Sequence, residues 1–107
     1  MSETFKAVQR LIHDGNFRIS EHGYDELEAD DIYARDVIAG VTDAVVIEDY
    51  PEFPKGACAL VLQKDLNNQL IHVIWGIPKG CTSPAVLVTA YKPNPEFWEE
   101  GFQRRRK

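Results

Sequence analysis

What the chain lacks narrows its class first. No apolar run in its 107 residues approaches the roughly 20 needed to cross a bilayer as a helix. The N-terminus carries charge and helical periodicity where a signal peptide would show a bare apolar stretch. A soluble, cytoplasmic protein without a membrane partner is expected. Cysteine is scarce: Cys58 lies in an apolar segment and Cys81 in a loop, so no disulfide framework is indicated. Added to His13, His22 or His72, these thiols show no zinc-ligand spacing, and neither a metal nor another cofactor is expected. A glycine-rich phosphate loop and a nucleophile motif are also missing. So is a basic excess: 12 Lys and Arg against 17 Asp and Glu give a net charge of −5, which argues against a generally basic nucleic-acid binder.

What is present is asymmetric. One domain's worth of chain, 44% hydrophobic and 27% charged, is near the globular average. Between residues 20 and 52, however, eleven acids face Arg35 alone, whereas from residue 53 onward eight basic residues face Asp65, Glu96, Glu99 and Glu100. A docked polyanion is therefore expected on the C-terminal half, and a basic partner on the acidic, helical side.

The apolar spacing divides the chain into helices followed by strands. Phe5, Val8 and Ile12, stopped by Gly15, predict a helix over 4–14. Ser20 caps a second over 20–29, and the i, i+3, i+4, i+7 stripe of Ala34, Val37, Ile38 and Val41 sets a third over 32–41. Beyond it, runs rich in Val, Ile, Leu and aromatics predict strands over 44–50, 57–64, 70–77 and 85–91, separated by proline, glycine and asparagine turns. Short connections favour antiparallel neighbours, so the expectation is α+β: N-terminal helices packed on a four-stranded antiparallel meander. Asn94 and Pro95, with acids early and Arg104 to Lys107 late, predict a short C-terminal helix over 95–104.

Several residues carry potential chemistry. His22, in the first turn of its helix and opposite Leu27, fits a general acid or base, or equally a surface or capping residue. His72, flanked by Leu70 and Ile74 on its own strand face, fits a cleft residue or a satisfied core histidine. Its cross-strand neighbour is Thr89 or Tyr91, depending on a register the sequence leaves open. Tyr91 and Lys92 end the last strand, where a phenol and an ammonium suit proton transfer and phosphate binding, or simply a solvated edge. Arg104, Arg105, Arg106 and Lys107 form the only basic cluster. Asp30-Asp31 and Glu48-Asp49 read as a helix start and a strand rim in preference to a metal or two-carboxylate site.

Ile19-Ser20-Glu21-His22, Val46-Ile47-Glu48-Asp49-Tyr50-Pro51, Leu70-Ile71-His72-Val73, Val88-Thr89-Ala90-Tyr91-Lys92-Pro93 and Pro95-x-x-Trp98 occur in that order. Together they resemble a prokaryotic family of small proteins classed as a domain of unknown function and grouped, by remote similarity, with the RelE-like and barnase-like ribonuclease toxins of toxin–antitoxin systems. The resemblance spans roughly residues 17–104. It implies the RelE-like toxin fold and metal-independent RNA cleavage, with RNA or the ribosome and a cognate antitoxin protein as partners. By the same resemblance His22, His72 and Tyr91 serve catalysis, and Lys92, Arg104, Arg105 and Arg106 hold phosphate. One departure stands out: relatives often carry arginine four residues after the first histidine, and Glu26 occupies that position here. An acid beside His22 repels a phosphate, which keeps open a catalytically inactive protein-binding module of the same fold.

Overall fold

The computed structural model describes residues 2–106. Ser2 accepts the Phe5 N–H and so caps the first helix, α1 (Glu3–His13), which Gly15 terminates at a φ of 78°. A short strand, β1 (Phe17–Ile19), leads into α2 (Glu21–Ala29), capped by Ser20, and then α3 (Ala34–Ala39), which tightens into a 3₁₀ turn over Gly40–Asp43. Four strands follow: β2 (Val45–Tyr50), β3 (Cys58–Lys64), β4 (Leu70–Gly76) and β5 (Ala85–Tyr91). They form an antiparallel meander, as the turn chemistry predicts.

Three expectations need correction. The sheet has five strands in the order β1-β5-β4-β3-β2, and it is mixed, because β1 pairs in parallel with β5. Three residues are too few to display a two-residue period, so β1 leaves no sequence signal beyond Phe17 and Ile19. The C-terminal helix over 95–104 is absent. Asn94 does cap a turn, accepting the Glu96 N–H, but the chain then reverses, with Gly101 at φ 88° and Phe102 at φ 60°, backbone values a right-handed helix cannot contain. A bridge between Trp98 and Arg105 and backbone bonds from Arg106 to Phe97 and from Glu99 to Arg104 fold residues 97–106 into an irregular hairpin. Finally, Asp30 and Asp31 close α2 instead of opening α3, whose N-cap, Tyr33, makes no side-chain cap bond.

All three helices lie on one face of the sheet. Their buried residues Phe5, Val8, Ile12, Leu27 and Val37 pack against Val61 of β3, Ile71, Val73 and Trp75 of β4, and Leu87 and Ala90 of β5. At the centre, the Trp75 indole N–H donates to Gln63 Oε1 at 3.0 Å, and the Gln63 amide donates to the Val37 carbonyl at 2.8 Å. This buried chain ties β4 through β3 to α3. Among the described residues, the other, outer face carries no helix. It is crossed by the 97–106 hairpin.

Two β-bulges decide which side chains reach the outer face. In β2, Val46 pairs with Val61 but Glu48 pairs with Leu60, so Ile47 is an extra residue. Without it, Glu48 would share Val46's direction and point into the core. In β5, Leu87 pairs with Trp75 but Thr89 pairs with Ile74, so Val88 is the extra residue. It sets Tyr91 opposite His72; an unbroken ladder would put Ala90 there.

Candidate functional site

The register now places each side chain. Across the outer face one row runs Leu62, His72, Tyr91, and the next runs Glu48, Leu60, Ile74, Thr89, with Tyr50 beside Cys58 below them. The hairpin adds Trp98, Phe102 and Arg105 from above. His72 is 0% exposed. Its Nε2 lies 2.8 Å from the Phe102 carbonyl, which can only accept, so Nε2 carries the proton. Nδ1 is then a bare lone pair and accepts the Tyr91 hydroxyl at 3.3 Å. The Trp98 ring stands edge-on to the imidazole with centroids 4.4 Å apart, and the Arg105 guanidinium lies 4.6 Å from the centre of the same indole.

Arg105 also grips Glu48 with both arms, Nε to Oε2 at 2.8 Å and Nη2 to Oε1 at 3.0 Å, while Tyr50 donates its hydroxyl to Oε1. The Arg105 hydrogen bond holds the Glu48 carboxyl below its ordinary range, keeping it ionised. Donation to that carboxylate pushes the Tyr50 phenol up, burial pushes Tyr91 up, and Glu48 pushes Arg105 up. Burial lowers His72, against a smaller opposing pull from the Phe102 carbonyl, so it stays neutral. The cluster thus combines a carboxylate base, a cation, two protonated phenols and a neutral imidazole within one patch.

Of the residues marked by sequence, His72, Tyr91 and Arg105 come together here. His22 does not join them. It sits on α2, which contributes Leu27 to the core on the helical face, and it is 64% exposed with Nε2 3.4 Å from Glu26 Oε1. Lys92 gives its backbone N–H to Asp30 Oδ2 at 2.6 Å, holding the end of β5 to the end of α2, and its side chain is exposed. Arg104 is exposed, Arg106 donates to the Pro95 carbonyl at 2.7 Å, and Lys107 lies outside the described residues. Glu48, Tyr50 and Trp98 belong to the cluster although spacing alone marked none of them for it. Beyond their place in the resemblance motifs and the Glu48-Asp49 pair, the signal in the residues themselves is the break of alternation across Val45-Val46-Ile47-Glu48. Among the described residues no three His, Cys, Asp or Glu side chains are grouped to hold a metal ion, and no helix is long and apolar enough to cross a membrane.

His72 also gives the fold a pH dependence. Its neutral form is favoured in the native state, so as pH falls through about 6.5 the unfolded chain gains a proton that the native chain refuses. Glu48 adds to this lower down: its contribution is intact above 4.5 and is lost as pH drops through its depressed native value. Urea midpoints should therefore decline from pH 7.5 to pH 5 in the wild type and decline less in His72→Asn. Parallel declines in both proteins would show that His72 is not the titrating group.

Fold and site together define a small α+β domain that buries one face of a five-stranded mixed sheet under helices and presents an ionisable cluster on the other. Residues 19–92 match the family model described as domain of unknown function DUF4258, and the chain belongs to that family. Glu48, Tyr50, His72 and Tyr91 fall inside the matched segment; Trp98, Phe102 and Arg105 follow it. No curated protein and no solved structure matches the chain.

Proposed function

We propose that the protein is a metal-independent endoribonuclease of the toxin type, remotely related to the RelE-like and barnase-like toxins, with the outer sheet face as its active site. The observation that carries this reading is the pair of bulges at Ile47 and Val88, which turn Glu48 and Tyr91 onto the face of His72. Bulges concentrate where a strand must re-aim a side chain beside a site of chemistry. In the cleavage step Glu48 takes the proton of a ribose 2′-hydroxyl as that oxygen bonds to phosphorus. Arg105, whose side chain is 58% exposed, turns from Glu48 to the phosphate oxygens and offsets the charge that builds on them. Tyr91, protonated, turns its hydroxyl from His72 Nδ1 to the 5′ oxygen and gives it the proton as the P–O bond breaks. The products are a 2′,3′-cyclic phosphate and a 5′-hydroxyl end. His22 enters no step, and Glu26 beside it repels no substrate bound on the outer face. A cognate antitoxin would act by covering this face.

The test is incubation of the purified protein with single-stranded and ribosome-bound RNA in EDTA. Cyclic-phosphate ends and growth arrest on induction are expected. Intact RNA at equimolar protein, with no arrest, would overturn the proposal. One observation favours a second reading, a catalytically silent protein-binding module: both His72 nitrogens are occupied, and Glu48 and Arg105 neutralise each other. Intact RNA together with a stable complex with a co-encoded partner would select that reading.

A further inference from the structure

A groove of about 630 Å³ opens where β3 outlasts β2, between the 3₁₀ turn, the β3–β4 hairpin and the C-terminal segment. It adjoins the outer-face cluster, sharing Leu62 and the chain on either side of Phe102, but no step of the cleavage mechanism uses it. Three carboxylates line it, Asp36, Asp43 and Asp65, against a single base, Lys64. Asp65 Oδ1 is already spent, accepting the backbone N–H groups of Asn67 and Gln69 at 2.8 and 2.9 Å. Asp36 is different. It is only 6% exposed, and its Oδ1 is the one buried side-chain polar atom among the described residues without a hydrogen-bond partner.

A carboxylate oxygen removed from water and left unpaired is costly, and the cost ends when a donor reaches it. Arg35 makes only a long ion pair with it, Nε at 3.7 Å and beyond hydrogen-bond range; the Arg35 side chain is 79% exposed and its guanidinium lies over the Tyr33 ring. Leu62, Leu66 and Leu70 give the groove an apolar stretch of wall, alongside the amides of Gln63, Asn68 and Gln103. An anionic floor at the end of an apolar wall matches a planar cation on a hydrocarbon stem, and guanidinium meets a carboxylate in a two-bond fork that ammonium cannot form. We infer that this groove binds a guanidinium group carried on a short alkyl chain, with the head on Asp36 and the stem along Leu62 and Leu70. Such a group is available as a free alkylguanidine or as the arginine side chain of a partner, which suits the acidic character of residues 20–52.

The experiment is an amide NMR titration of the intact protein with n-butylguanidinium, its neutral isostere n-butylurea, and N-acetyl-arginine amide as the peptide-borne source. Butylguanidinium should shift resonances of residues 36–43 and 62–66, with butylurea at least ten-fold weaker. Tighter binding of the arginine amide would assign the site to a partner's side chain, and tighter binding of butylguanidinium to a free ligand. Asp36→Asn should weaken binding about ten-fold, as loss of a charge-assisted bond does. Should that variant unfold, Asp43→Asn, an exposed position, should weaken it about three-fold, while Arg35→Ala should leave it unchanged or tighter. Equal response to the neutral urea, no response to either cation, or full affinity in the acid-to-amide variants would overturn the inference.

Discussion

Glu48→Gln should lower RNA cleavage by about 10²–10⁴-fold, the range usual for removal of a positioned general base. The amide keeps the shape of the carboxylate, and its single oxygen can still accept from Tyr50 and one arm of Arg105 while the bond to the other arm is lost, so the sheet should stand; what the chemistry loses is the ability to take a proton. Melting within a few degrees of wild type would confirm that the defect is chemical. Because the Arg105 hydrogen bond keeps Glu48 ionised below its ordinary range in the free protein, the acid limb of the wild-type kcat/KM profile should fall below pH 4.5, not near neutrality. Cleavage within three-fold of wild type in the folded variant would remove Glu48 as the base.

On stability, the largest effect is expected at Trp75. The side chain is fully buried near the C-terminal end of β4, and Trp75→Ala should cost about 3–5 kcal/mol through the lost burial and the cavity left behind. A domain of this size has only about 5–15 kcal/mol of stability to lose. Part of the damage is polar: Gln63 Oε1 loses the indole N–H while its amide still holds Val37, so a buried acceptor is left unpaired. Trp75→Phe isolates that part and should cost about 1–3 kcal/mol, with smaller packing losses. Urea denaturation of the three proteins gives both figures. A loss under 1 kcal/mol for the alanine variant would mean that the sheet and helices do not depend on this chain of contacts.

The helices and the four-stranded meander are legible in the sequence because each buries one face, and burial of one face imposes a period of 3.6 or 2 on residue type. Boundaries agree to within one residue except at α3, which starts two residues late and ends two early, where Gly40 passes the chain into the 3₁₀ turn. Three kinds of feature leave no such mark. β1 is too short to show a period. The C-terminal segment has the cap and charge order of a helix, but its outcome is fixed by tertiary docking: Trp98 against His72 and Arg105 on Glu48 reward a hairpin that local propensity does not favour. The registers of β2 and β5 are set by bulges, which hydrophobicity records only as a broken alternation. The candidate site depends on the last two. His72, Tyr91 and Arg105 are legible as residue types, and their convergence is not; His22 has an equally suggestive type and position and lies on a helix of the opposite face.

Each bulge is a single extra residue, and that has a consequence for reading relatives of this chain. Removing one residue between Val46 and Glu48, or between Leu87 and Thr89, would leave the core pattern of the preceding half-strand intact and invert everything after it. A homologue aligned with a one-residue gap at either place could keep the glutamate and the tyrosine as letters while turning one of them inward. Gap placement at positions 47 and 88, more than identity at 48 and 91, is thus the mark that would separate family members carrying this cluster from those retaining only its scaffold.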